Sequence, residues 1–201
     1  MAPTTFRSRF NRVLSIVAWA VLGAAAVGAL LTPGVTPVLL SVPLGASGAA
    51  ALVWALLWSP HITIDDEGVD VANVLLVHHV PWAALIHVDT RYALTLHVPG
   101  RHIRATAAPA PGQLAAHRAA RAERWRVRDL ASDGLHPGEL PSTDSGSAAR
   151  LVRERWEHLR DAGRIEAGVA DVTPVGVRPR VAEIAAITLG AAAITVAVLS
   201  V

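Results

Sequence analysis

The chain has 201 residues, 52% of them hydrophobic and only 17% charged, with 18 basic residues against 16 acidic ones and no cysteine. A charged fraction well below the roughly 25% usual for soluble domains argues against a wholly soluble globular protein, and the lack of cysteine removes disulfides, thiolate nucleophiles and Cys-ligated zinc or iron–sulfur centres together. Every basic residue is Arg, which reads as genomic composition before it reads as function.

Residues 1–12 carry Arg7, Arg9 and Arg12 and read as a cytoplasmic N-terminus. Two apolar stretches follow, 13–31 and 38–58, and a third closes the chain at 181–201; across all three the one ionisable residue is Glu183. Each matches the roughly 20 residues that cross a bilayer as a helix, which predicts a multi-pass inner-membrane protein. The first two form a transmembrane hairpin over 13–58, turning at Thr32-Pro33-Gly34, and Pro43 with Gly45 predicts a bend or local unwinding in the second span. Small residues crowd both spans, so Gly23, Gly28, Gly45 and Gly48 are the candidate helix-packing contacts, between the spans and with a partner. Trp54 and Trp58 lie near a span end, where indoles anchor at the interface. No span carries the paired charges of a transport path.

Basic residues concentrate on the cytoplasmic side of spans. Arg7, Arg9 and Arg12 before the first span, and Arg178 with Arg180 before the third, therefore place the N-terminus and the central segment inside and the C-terminus outside. An alternative makes the first stretch a cleaved signal peptide, although its apolar run is longer than the usual core of one and a second span follows at once.

Between the spans, residues 59–131 begin with period-two alternation. The runs 61–65, 68–71, 74–77, 82–89, 92–98 and 102–106 predict five or six short antiparallel strands, with Pro99-Gly100 as the last hairpin turn. That register puts Leu94, Leu96, Val98, Ile103 and Ala105 inward, and His97, Arg104 and Thr106 outward with His102. The core of this β domain is read as Trp82, Ile86, Leu94, Leu96 and Ile103. So few strand residues need a helix or a membrane surface to complete their core. Residues 111–131 predict an Arg-rich helix; Arg118, Arg121, Arg124 and Arg128 are candidate anionic-lipid contacts, with a solvated charged face as the alternative. Residues 132–180 read as linker around an amphipathic helix at 147–162, whose Val152, Trp156 and Leu159 share one stripe, and 163–179 as a tether into the third span.

Asp-Asp-Glu-Gly at 65–68 ending a strand, Val-Pro-Trp at 80–82 opening the next long one, and Gly-Arg at 100–101 resemble the bacterial pleckstrin-homology-like (PH) domains of small actinobacterial membrane proteins. The resemblance implies a strongly bent sheet of about seven strands closed by a C-terminal helix, a place that 111–131 could take. The fold class expected is therefore membrane α plus small β: a transmembrane hairpin, a PH-like antiparallel domain with helices, and a third membrane helix. In lipid-binding eukaryotic relatives of that fold a basic first hairpin holds an inositol phosphate. Here Asp65, Asp66 and Glu67 would repel phosphate.

Catalytic signatures are missing: there is no Gly-x-Ser-x-Gly, no phosphate-binding loop and no dinucleotide fingerprint. His78, His79, His87, His97 and His102 fall in the strand region without any known ligand spacing, so they read as exposed strand histidines, not as a metal site. No enzyme activity, cofactor, metal, small-molecule substrate or nucleic acid is expected. The expected partners are membrane lipid and other membrane proteins, and the expected role is an accessory or scaffold subunit. The alternative is a sensor of anionic lipid or envelope state that works through the Arg-rich helix.

Overall fold

The computed structural model describes residues 3–32, 36–109, 143–166 and 168–200. In chain order the elements are β1 (Thr4–Phe6), α1 (Arg9–Leu31), α2 (Thr36–Val53) running into a π-helical turn (Trp54–Trp58), β2 (His61–Ile64), β3 (Gly68–Ala72), β4 (Leu76–Pro81), β5 (His87–Asp89), β6 (Ala93–Val98), β7 (Arg101–Pro109), α3 (Asp144–Asp161), β8 (Gly176–Pro179) and α4 (Val181–Leu199). The chain divides into two compact units, residues 1–8 with 61–178 and residues 9–60 with 179–201.

The first unit holds two antiparallel sheets. One has the order β1-β2-β3-β4-β8, the other β5-β6-β7. Alternation decides which side chains meet: Ile62, Val69, Val71, Val80, Leu94, Leu96 and Ile103 point into one core, which Trp82 and Leu85 join. Three strands and their partners leave one side of that core open, and α3 closes it with Ala148, Ala149, Val152 and Leu159. Its start is set locally, because Thr143 Oγ1 accepts a hydrogen bond from the Gly146 backbone N–H at 3.0 Å as an N-cap. Gly100 turns the β6–β7 hairpin at φ 72°, a conformation that glycine adopts without steric cost.

Several expectations change here. The closing helix is α3, three residues longer at its start than the expected 147–162; the capping Thr143 and the first-turn Asp144 initiate it inside what reads as linker. The segment 111–131, with Arg118, Arg121, Arg124 and Arg128, lies outside the described residues. Val80 and Pro81 end β4 instead of opening a strand, and Trp82–Ala84 form a 3-10 turn before β5. That turn interrupts the alternation, so Leu85 and Val88 point inward while Ile86, expected in the core, is 53% exposed. Residues 4–6, read as plain N-terminus, pair with β2 in the register Phe6↔Ile62, and part of the expected tether becomes β8 at the far edge of the same sheet.

The second unit contains three helices long and apolar enough to cross a membrane, Arg9–Leu31, Leu40–Trp58 and Val181–Leu199. Helix α2 continues through Pro43, and the irregularity falls later, at the π turn, where the Ser59 N–H reaches the Trp54 carbonyl at 2.9 Å. The closest helix approach is between α2 and α4, not between the hairpin helices: a Cβ on Gly48 would lie 2.5 Å from the Gly190 carbonyl oxygen, and one on Gly45 would lie 3.3 Å from Ala197 Cβ. Without side chains there, backbones meet and van der Waals contact replaces the hydrophobic drive that lipid cannot supply. Helix α1 uses a larger residue, with Trp19 Nε1 donating to the Ala50 carbonyl at 3.1 Å and its ring 5.2 Å from that of Trp58. Arg12 lies over the Trp58 ring, 5.3 Å from its centroid. Among the described residues, no atom lies within 4 Å of where a Cβ would stand at positions 23 and 28.

Candidate interaction surface

The turn between β2 and β3 is acidic, and the carboxylates of Asp65 and Asp66 are already engaged. Asp65 Oδ1 accepts from the backbone N–H groups of Glu67 and Gly68 at 2.8 and 2.9 Å, the self-capping geometry that Asp favours in turns. Trp82 Nε1 donates to the Asp65 carbonyl at 3.1 Å, which ties the turn to the core. Asp66 makes an ion pair with Arg155 of α3, and Arg164 Nη1 stands 3.7 Å from its other oxygen. The helix that closes the core thus also covers the acidic turn.

On the five-stranded sheet the register Asp70↔His79 brings Asp70 Oδ1 to 2.7 Å from His79 Nδ1. Neighbouring His78 has a buried Nδ1 with no hydrogen-bond partner, and burial, followed by the charge of Arg101, holds its pKa below the usual imidazole range.

The three-stranded sheet aligns three histidines. His87 on β5 faces His97 on β6, and His97 faces His102 on β7. Their ring centroids are 5.5 Å apart for His87–His97 and 4.3 Å for His97–His102. Thr95 on β6 and Arg104 on β7 are also paired, and Arg104 lies 6.0 Å from the ring centroid of the exposed Tyr92. From the adjoining β3–β4 turn, Asn73 stitches β7 in place: its Nδ2 donates to the Arg104 carbonyl at 2.8 Å and its Oδ1 accepts the Thr106 N–H at 2.9 Å. His97 Nε2 is buried without a hydrogen-bond partner. Burial first, then the neighbouring His102 and His87, lower its pKa, with Asp89 acting in the opposite sense. Burial also works against the Asp89 carboxylate, but the N–H groups of Arg91 and Thr90, with the charges of His97 and Arg91, outweigh it and hold that pKa below the usual range. No group of three or more His, Asp or Glu among the described residues is placed to hold a metal ion.

The sign of the resulting pH dependence follows from proton linkage. A histidine with a depressed folded pKa binds protons more readily once unfolded, so His97 and His78 contribute stability above their usual value of 6.5 that is lost as pH falls through it. Asp89 adds a further loss only below the ordinary carboxylate value of 3.8. The melting temperature of the detergent-solubilised protein is therefore expected to be lower at about pH 5.5 than at about pH 7.5, and His97→Gln to flatten that difference. Equal melting temperatures for the wild type at the two pH values would refute the assignment.

Of the residues singled out from sequence, Trp82, Leu94, Leu96 and Ile103 share the core with Val152 and Leu159, and Ile86 does not. Gly45 and Gly48 are taken up by α4, whereas Gly23 and Gly28 face open space. Sequence reasoning did not find Arg155 and Arg164 on Asp66, since nothing in their spacing relates them to a turn about ninety residues earlier. It paired His97 with His102 but left out His87, whose place in the row depends on the strand register after the 3-10 turn.

A scan against protein-family models matches residues 59–162 to a model described as Bacterial PH domain. The match starts just before β2 and ends just after α3, which takes in both sheets' central strands and the closing helix. Neither the curated proteins nor the solved structures contain a significant match to the chain.

Proposed function

The chain belongs to the bacterial PH domain family, and from that premise we propose that it is a non-enzymatic, membrane-anchored interaction module of actinobacterial origin, an accessory or scaffold subunit. Its three apolar helices hold it in the inner membrane, its N-terminus and PH-like domain lie on the cytoplasmic side, and the domain docks a protein partner there.

The observation that carries this reading is the state of the β2–β3 turn. A phosphate-binding hairpin would need free cations at this place, yet its carboxylates dominate and Asp66 is engaged by Arg155 and Arg164 from within the domain. With inositol phosphate disfavoured there, binding falls to the domain's other surfaces. The uncovered small positions Gly23 and Gly28 on α1 supply a further face, suited to another membrane helix.

Purification in mild detergent followed by mass spectrometry of co-eluting chains tests the proposal. A stoichiometric set of partners is the expected result. A protein that elutes alone, and whose binding to anionic liposomes is lost on joint replacement of Arg118, Arg121 and Arg124, would instead support the lipid-sensor alternative. Protease digestion of the central segment in oriented vesicles reads the topology: cleavage from the external side would overturn the cytoplasmic assignment.

A further inference from the structure

The outer face of β5-β6-β7 differs from the rest of the domain in what its charge depends on. Its side chains across the three strands are His87, His97 with Thr95, and His102 with Arg104 and Thr106. His87, His102, Arg104 and Thr106 are exposed, and so are Ile86 and Tyr92 beside them. Arg101 at the start of β7 has the inward parity of Ile103, and its Nη2 donates to the Val175 carbonyl at 3.0 Å, so its charge belongs away from this face.

We propose that this face is a docking surface for an acidic peptide segment of a partner protein, gripped by His87, His97, His102 and Arg104 and tightened by acidification. The proposal rests on reading the protein as an interaction module and names the chemistry of its partner.

Charge complementarity points to an anionic occupant. Arg104 is a permanent cation on the face, and three imidazoles add positive charge when protonated. Against them stands Asp89 on β5, the one carboxylate whose charge acts on His97, with Arg91 next to it. From α3, which packs behind the sheet, Arg153 reaches the Val88 carbonyl at 2.9 Å and adds a further positive group near β5. Burial first, then the charges of His102 and His87, disfavour the charged form of His97. A row of carboxylates laid across them removes that cost, so protons and peptide bind together.

A peptide suits the face better than a bilayer does. Attraction to anionic lipid accumulates at about 1 kcal/mol per Lys or Arg near the surface, and Arg104 supplies little of it. Three imidazoles on adjacent strands, with ring centroids 5.5 and 4.3 Å apart, instead present a row that carboxylates of one chain can follow. Tyr92 beneath Arg104, together with Ile86, offers apolar contact to side chains between those carboxylates.

The test uses the full chain in neutral detergent micelles and a fluorescein-labelled oligoglutamate peptide followed by fluorescence anisotropy at constant ionic strength. Affinity is expected to rise about tenfold from about pH 7.5 to about pH 6, the double variant His87→Gln/His102→Gln to lose that rise while keeping its melting temperature at about pH 7.5, and Arg104→Gln to weaken binding at both pH values. Affinity that does not change with pH, or a pH response that survives the double variant, would overturn the proposal. So would histidine-dependent binding to phosphatidylglycerol nanodiscs with no binding of the peptide. If the peptide fails but co-eluting partners persist in mild detergent, this face is the wrong one and the module reading stands; if the wild type elutes without partners, that reading itself falls.

Discussion

Glu183→Ala is expected to destabilise the helical unit by about 3–5 kcal/mol, the cost of leaving a buried charge without its partner. Glu183 stands in the first turn of α4, and its side chain and that of Arg180 are only 10% and 9% exposed. The two ions are 2.5 Å apart, and Ser59 completes a closed triangle: its Oγ donates to Glu183 Oε1 at 2.7 Å and accepts from Arg180 Nη2 at 2.8 Å. Removing the carboxylate takes from Arg180 its acidic partner in a poorly hydrated place and takes away one partner of Ser59. The expected readout is a marked fall in the thermal or SDS-induced unfolding midpoint in detergent. The double variant Arg180→Leu/Glu183→Leu should recover most of the loss, because apolar replacement of a whole buried pair is often close to neutral. An unchanged midpoint in Glu183→Ala would show that the triangle contributes nothing to stability.

Gly48→Ala is expected to cost about 1–3 kcal/mol, although it adds only one methyl group. Its Cβ would meet the Gly190 carbonyl oxygen at 2.5 Å, with Ala193 Cβ and Ile194 Cγ1 each at 3.1 Å. The first of these is backbone and cannot rotate away, so α2 and α4 must separate and lose packing along their length. Gly23→Ala is the control. Among the described residues, no atom lies within 4 Å of the added Cβ, and the gain in helix propensity makes that change neutral or mildly stabilising in the isolated protein. The pair of variants separates contacts within the chain from contacts with a partner: if Gly23→Ala leaves the midpoint intact but depletes co-eluting chains, α1 is the partner face. Equal midpoints for Gly48→Ala and the wild type would contradict the close approach of α2 and α4.

Which features were readable in advance follows the range of the interaction. The three spans and the β6–β7 hairpin are local patterns, a continuous apolar run in one case and a period of two around Pro99-Gly100 in the other, and both stand where expected. The stripe Val152, Trp156, Leu159 is equally local and faces the core. Ile86 was misjudged because a 3-10 turn of three residues, too short to leave a periodic signal, shifts the inward side from Ile86 to Leu85 and Val88. The strand at Thr4–Phe6 escaped notice for a related reason: three residues without a partner in view carry no alternation.

Readable from the residues alone were three stretches long and apolar enough to cross a membrane, a small antiparallel domain between them, and Glu183 as the one ionisable side chain within those stretches. Apolar length, alternation and charge are properties of neighbouring residues, and they survive without knowledge of the fold. The tertiary structure decided that α3 closes the core, that Asp66 belongs to Arg155 and Arg164, that Gly48 meets Gly190, and that His87, His97 and His102 stand in one row. Each of these joins residues distant along the chain or set by strand register, and such pairings exist only once hydrogen bonding and close packing have chosen among many sequence-compatible alternatives.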